Sequence, residues 1–296
     1  MFKLPDNVVL INEKSVYTYS ELKEMFPDSK LLCVCDFYVQ GAEDGNISDE
    51  GITYDGVLNI DHHAPIEQMY KQISSTTLAI DYVKEHGILP SDHKIIINHT
   101  DCDAVLSSMI MTGALEPLEI YNDAAIAADH TGVENDISDL LQALQETRDL
   151  PFIMENLCHL QDDEKIDTKA EMLLEDRMES REEVKQLVKD GAFSEYNGIY
   201  YIGRDEKIES ELVPEFLPDA KLVVLASPMP PDSEREWEIK VRLGKNTRDI
   251  NLKKLNLPDF GCRFNAGSTM RLGGTDIELE EYVRRVYSEI SRVYGA

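Results

Sequence analysis

Three short apolar runs, LLCVC (31–35), GVLNI (56–60) and KIIIN (94–98), each lead directly into acidic or imidazole side chains. The first opens onto Asp36, the second onto Asp61-His62-His63, and the third onto His99-Thr100-Asp101-Cys102-Asp103. Apolar, β-branched runs without polar alternation are the pattern of strands covered on both faces, as in a parallel sheet. Between the second and third runs lies SSTTLAIDYVKEHG (74–87), which reads as a helix with Ser/Thr at its start and Gly87 just past its end. DAVLSSMIMTG (103–113) reads as another. This alternation predicts an α/β domain built on a doubly wound, mainly parallel sheet. In such a sheet the carboxyl ends of the strands line one crevice, so the charged groups are expected to converge.

The organisation changes after about residue 132. From Glu134 to Asp190 there are 17 acidic and 7 basic residues and almost no strand pattern. DISDLLQALQETRD (136–149) places Ile137, Leu140, Leu141 and Leu144 on one helical face, and 162–190 reads as one or two charged helices forming a solvated bridge. Strands return beyond Gly191. EWEIKVRL (236–243) alternates Trp237, Ile239, Val241 and Leu243 with Glu236, Glu238, Lys240 and Arg242, the pattern of a half-buried strand. A glycine-rich loop (261–274) and a helix from about Ile277 complete the chain. The expected division is a first domain over 1–160, a charged helical linker over 161–192, and a second, smaller α/β domain over 193–296.

Charge limits the partners. With 29 basic and 57 acidic residues the net charge is −28, which repels phosphate backbones and disfavours long nucleic acid. Positive charge is nevertheless concentrated between Arg235 and Arg271, where nine basic residues face four acidic ones. The longest apolar runs fall far short of the roughly 20 residues that span a bilayer, so no membrane association is expected. MFKLPDNVVLINEK at the N-terminus carries proline and aspartate where a signal peptide needs an apolar core. Five cysteines, an odd number without framework spacing, fit a reducing cytoplasm. Cys33-x-Cys35 sits in an apolar strand and reads as core packing.

A single aspartate after a strand commonly caps the following helix. Several carboxylates and imidazoles delivered to one crevice would instead repel each other without a cation, so a metal cluster is the economical reading. In His99-x-Asp101-x-Asp103 alternate residues of an extended segment point the same way. A His/Asp set with no required thiolate suits Mn²⁺ or Mg²⁺. Asp129, in AIAADHTG, offers a further carboxylate, with His130 as a local polar neighbour. His86, His93 and His159 read as ordinary helix or loop residues.

On these residues the chain resembles the DHH phosphoesterase superfamily. Asp61-His62-His63 after a strand matches the name-giving motif, with Ser74-Ser75-Thr76-Thr77 as the helix start behind it. HTDCDAVLSS (99–108) is similar to the H-x-D-x-D segment, Asp36 stands in the place of the bridging aspartate, and Asp129-His130-Thr131-Gly132 resembles the fourth motif. In the family the H-x-D-x-D segment opens the chain, whereas here it follows the DHH, as in a permuted or divergent branch. FGCRFNAGSTMRLGG (260–274) resembles the glycine-rich loop of the DHH-associated domain, with Arg263 where that loop has histidine.

The resemblance implies a two-metal site, one ion on His99, Asp101 and a bridging Asp36, the other on Asp36, Asp103, His62 and Asp129. It implies that Asp61 orients a ligand histidine and that His63 reaches the scissile phosphate. Arg263, Asn265, Gly267 and Arg271 would hold a non-reacting phosphate or nucleotide moiety. The expected activity is manganese-dependent hydrolysis of a phosphoester in a small substrate, such as a short oligonucleotide or nucleoside bisphosphate, with Mg²⁺ as the second choice of metal. Hydrolysis of polyphosphate or pyrophosphate is one alternative, and a non-catalytic metal or nucleotide sensor is another. A homodimer is compatible with this reading.

Overall fold

LLCVC, GVLNI and KIIIN supply the strands Leu32–Cys35, Val57–Ile60 and Lys94–Ile97 in a computed structural model that describes residues 3–14, 16–41, 45–48, 51–63 and 74–295. They are neighbours in a six-stranded sheet ordered Val8–Leu10, Lys94–Ile97, Leu32–Cys35, Val57–Ile60, Gly51–Tyr54, Asn46–Ser48. The first four strands run parallel, and the last two add an antiparallel hairpin. Every residue of Leu32–Cys35 and Val57–Ile60 is buried, as their unbroken apolar runs require. Neither the edge strand Val8–Leu10 nor the hairpin was distinguished in the sequence, because each is short and the hairpin's outer strand is fully exposed.

The crossover from Val57–Ile60 to Lys94–Ile97 passes through the helix Ser75–His86. Ser74 caps it through a reciprocal bond with Thr77, and Gly87 follows its last turn. The helix Cys102–Thr112 follows the third strand and closes on Gly113 in the left-handed conformation. Cys102 to Met111 are all buried, so this helix is enclosed on every side. Cys33 and Cys35 are fully buried with their sulfurs 3.8 Å apart, in keeping with a packing role.

The chain divides into two compact units, Met1–Asp129 with Glu134–Arg177, and His130–Val133 with Met178–Ala296. Both are α/β. The second unit holds a six-stranded sheet ordered Gly261–Cys262, Ala266–Ser268, Trp237–Leu243, Leu222–Pro228, Ile199–Gly203, Ser194–Tyr196. Only Ile199–Gly203 and Leu222–Pro228 pair in parallel. Ile239, Val241 and Leu243 pack with Tyr282, Val283 and Val286 of the helix Leu279–Tyr294. The opposite face is covered too, where Val223 and Leu225 meet Val184, Leu212 and Val213. Glu238, expected on a solvated face, is therefore buried, with its carboxylate held by Ser268 and Lys207 at 3.2 Å each. No helix among the described residues is long and apolar enough to cross a membrane.

Within 162–190 the chain forms one long helix, Thr168–Lys189, and it is not simply solvated. Ala170, Arg177, Arg181 and Val184 are buried, at spacings of seven, four and three residues that align on one helical face. Two of these four are arginines, so the buried stripe leaves no apolar periodicity in the sequence. In the first unit Arg177 pairs with Asp139 at 3.3 Å, both side chains nearly inaccessible. In the second, Arg181 donates to the Gly132 carbonyl at 2.7 Å and pairs with Glu215. Removing one partner of a buried pair strands the other charge at a cost of about 3–5 kcal/mol. Arg177→Ala is expected to lower stability by that order in urea unfolding followed by circular dichroism. An unchanged midpoint would show that the pair adds little to stability, with Asp139 still held by the Asn135 N–H at 3.3 Å.

Candidate metal centre

Adjacent parallel strands deliver the first unit's charged groups to one end of the sheet. Asp36 follows Leu32–Cys35 directly, and its backbone N–H still donates to the Ile60 carbonyl at 2.9 Å. It then leaves the sheet with a φ of 62°, in the left-handed region. Its carboxylate is almost completely buried between the two neighbouring strand ends. One oxygen, Oδ2, lies 3.0 Å from His99 Nε2 on one side. The other, Oδ1, lies 3.5 Å from His62 Nε2 and accepts a bond from Ser75 Oγ at 2.9 Å.

Two overlapping donor sets share Asp36. In the first, His99 Nε2 sits 3.3 Å from Asp101 Oδ2 and 3.0 Å from Asp36, and these three groups lie within reach of one ion. In the second, His62 Nε2 lies 3.1 Å from Asp129 Oδ2 and 3.5 Å from both Asp103 Oδ2 and Asp36 Oδ1. Asp101 also accepts from the Ala104 N–H and so caps the helix Cys102–Thr112. Capping and site donation thus coexist on one carboxylate, through different oxygens. Asp129 arrives on the π-helical turn Ala127–Thr131. Such turns insert an extra residue into a helix and often re-aim side chains at sites.

The electrostatics are those of a cation site. Burial alone would raise the Asp36 carboxyl, but His63, His62 and His99 outweigh it and hold Asp36 well below the usual carboxylate range. Asp103 goes the other way, pushed well above that range by burial and then by the charges of Asp36 and Asp129, against the opposing pull of His62. His62 and His99 lose solvation, yet the surrounding carboxylates raise both well above an ordinary imidazole. These acids and bases are crowded where water cannot screen them, and without another cation they balance only by retaining protons. Asp61 is also fully buried, and its Oδ2 has no hydrogen-bond partner among the described residues. The residues therefore fit divalent ions. Cys102 does not join the donor set, since burial and the charges of Asp103 and Asp101 keep its thiol well above the normal range.

Further groups hold the donors in place. The backbone N–H groups of Ser75 and Thr76, at the start of the helix Ser75–His86, each donate to Asp103 at 2.7 Å. A helix N-terminus favours a carboxylate there. The Ser/Thr cluster behind the DHH was the available signal. Asn98 Oδ1 meets His99 Nδ1 at 2.5 Å, which turns Nε2 toward Asp36 and Asp101. Asp61 Oδ1 accepts from the backbone N–H of His63 at 3.0 Å and lies 2.7 Å from His63 Nδ1. The histidine it orients is thus His63, which lies with Asp36 and His62 in a group within reach of one ion.

The second unit carries the loop residues. Arg263 lies between the strands Gly261–Cys262 and Ala266–Ser268, with its N–H bonded to the Ala266 carbonyl at 2.8 Å. Asn265 is buried with Nδ2 2.8 Å from His130 Nδ1, and Phe264 packs near the same ring. Partial burial and, after it, the charge of Arg263 hold Arg271 below the usual guanidinium range. Gly267 is inside a strand paired on both sides, and a Cβ there would come within 2.4 Å of the Cys262 Cβ. Close packing accounts for this glycine. Gly132 is similar, since a Cβ there would lie 2.2 Å from the Glu211 carbonyl oxygen.

Ligation requires deprotonated donors, so binding of a divalent ion must expel protons from His62, His99 and Asp103. All three are raised in the metal-free protein, which gives the sign: apparent affinity increases as pH rises. Calorimetric Mn²⁺ titration in two buffers of different ionisation enthalpy is expected to show proton release. Affinity independent of pH would contradict this electrostatic picture.

No family model matches the chain, and no curated protein matches it. Among solved structures it is similar to a pGpG-specific phosphodiesterase, PggH, from Vibrio cholerae, at 11% identity and a TM-score of 0.42, over 90% of this chain and 99% of that one. At that distance neither fold nor chemistry carries from one protein to the other.

Proposed function

We propose that this chain is a divalent-metal-dependent phosphohydrolase of the DHH type that cleaves a phosphoester in a small phosphorylated substrate, with Mn²⁺ as the working metal. The observation that carries the reading is Asp36 at the ends of three adjacent strands, with His99, beside Asp101, against its Oδ2 and His62, beside Asp103 and Asp129, against its Oδ1. Carboxylate and imidazole donors without a thiolate suit Mn²⁺ or Mg²⁺ better than thiolate-seeking metals. In this reading His99, Asp101 and Asp36 hold one ion, and Asp36, His62, Asp103 and Asp129 hold the other. Two such ions would supply neutralisation of the phosphoryl oxygens and acidification of the attacking water.

The chain's own residues do the rest. Asp61 fixes His63 through Nδ1 and the backbone N–H, so the half-buried ring presents Nε2 to a phosphoryl oxygen or leaving group. Ser75 and Thr76 hold Asp36 and Asp103 against rotation. In the second unit Arg263 and Arg271 are like charges within electrostatic range, an arrangement that a phosphate stabilises through charge-assisted bonds. Asn265 adds a carboxamide for a nucleotide moiety, while Gly267 shapes the strand that carries the loop. The cytoplasm and a homodimer fit this assignment.

Purified protein with Mn²⁺ is expected to release nucleoside monophosphate from a short oligonucleotide or phosphate from a nucleoside bisphosphate. His62→Ala and Asp101→Ala should each lose more than the roughly 10–100-fold typical of an outer-shell partner. Unchanged turnover in either would refute the assignment. Turnover of polyphosphate alone would favour the anhydride reading, and tight Mn²⁺ binding without turnover across the panel would favour a sensor.

A further inference from the structure

The strand Val57–Ile60 is buried at every position, yet its third residue is an asparagine. Asn59 has no solvent exposure. A buried carboxamide costs several kcal/mol unless its polar atoms are met, so an amide here needs a reason. Its side-chain partners among the described residues lie on either side of Asp36, at the end of the strand Leu32–Cys35 and in the segment that follows it. Asn59 Nδ2 donates to the Phe37 carbonyl at 3.0 Å and, more weakly, to the Val34 carbonyl at 3.4 Å. Its Oδ1 accepts the Val39 N–H at 3.2 Å.

These three bonds bracket Asp36, one before it and two after. Asp36 stands in the left-handed region at a φ of 62°, a conformation that costs a non-glycine residue about 1–3 kcal/mol and persists only where its surroundings impose it. Up to Cys35 the neighbouring strand Val57–Ile60 satisfies the backbone through its ladder, with Val34 directly opposite Asn59. Past that point the chain turns out of the sheet, and the Asn59 side chain takes over as its bonding partner. An apolar residue would fill the same space in this strand but would leave the Phe37 and Val39 backbone groups unmet.

We propose that Asn59 is a positioning residue for the metal centre: by bonding to residues 34, 37 and 39 it holds Asp36 in the left-handed turn from which one carboxylate serves both donor sets. The proposal rests on the metal reading of this site. Without Asn59 the turn relaxes toward negative φ, Asp36 rotates away from His62 and His99, and both sets lose their shared oxygen donor.

The test uses the full chain, with Co²⁺ as a spectroscopic probe and Mn²⁺ for affinity. Measurements are made at a temperature where near-UV circular dichroism shows each variant folded. Asn59→Ala is expected to weaken Mn²⁺ binding about 10–100-fold, as outer-shell losses do, and to change the Co²⁺ d–d spectrum. A lowered melting temperature with wild-type affinity and an unchanged Co²⁺ spectrum would show a purely structural amide and overturn the proposal. If wild type binds neither ion, the metal reading itself fails and takes the proposal with it, an outcome visible before any variant is made. Should Asn59→Ala not fold, Asn59→Ser serves the same comparison, since a hydroxyl cannot span all three partners.

Discussion

Like charge held out of water is the constraint on which the rest of this structure depends. Asp36 and Asp103 are carboxylates with almost no solvent contact, and both gather with Asp129 about one nitrogen, His62 Nε2. Burying even one carboxylate is costly, and burying several together is tolerable only with compensating positive charge. These surroundings shift His62, His99 and Asp103 toward their protonated forms. A divalent ion can replace several of those protons at once, which is why the cluster reads as a binding site and not as a set of helix caps.

The fold is arranged to meet this demand. Three neighbouring parallel strands end at the same edge, and the helix starting at Ser75 aims two backbone N–H groups at Asp103. Asn98 and Asp61 set the orientation of His99 and His63. Asp36 stands at the centre in a backbone conformation the chain would not choose unaided, and Asn59 supplies the bonds that keep it there. Stability is thus spent locally to fix donor geometry, a pattern expected where strain serves a site.

How much of this was legible in the sequence follows from which signals are local. Buried parallel strands announce themselves as unbroken apolar runs, and the Ser74 and Gly87 ends of the first crossover helix are short-range chemistry, so both could be placed. The direction in which strand-end residues point follows from parallel pairing alone. The edge strand Val8–Leu10 and the exposed hairpin left no comparable pattern. The face of Thr168–Lys189 that packs inward uses Arg177 and Arg181, whose burial depends on Asp139 and Glu215 far away in sequence. Asn59 was hidden for the opposite reason: inside an apolar run its polarity looked incidental, and only its partners around Asp36 explain it.

The central claim is that one buried aspartate bridges two divalent ions. Electron paramagnetic resonance of the Mn²⁺-loaded chain, taken with the bound stoichiometry, tests it directly. The account predicts two ions per chain with an exchange-coupled spectrum. An isolated six-line signal from a single bound ion, or no bound manganese, would contradict it.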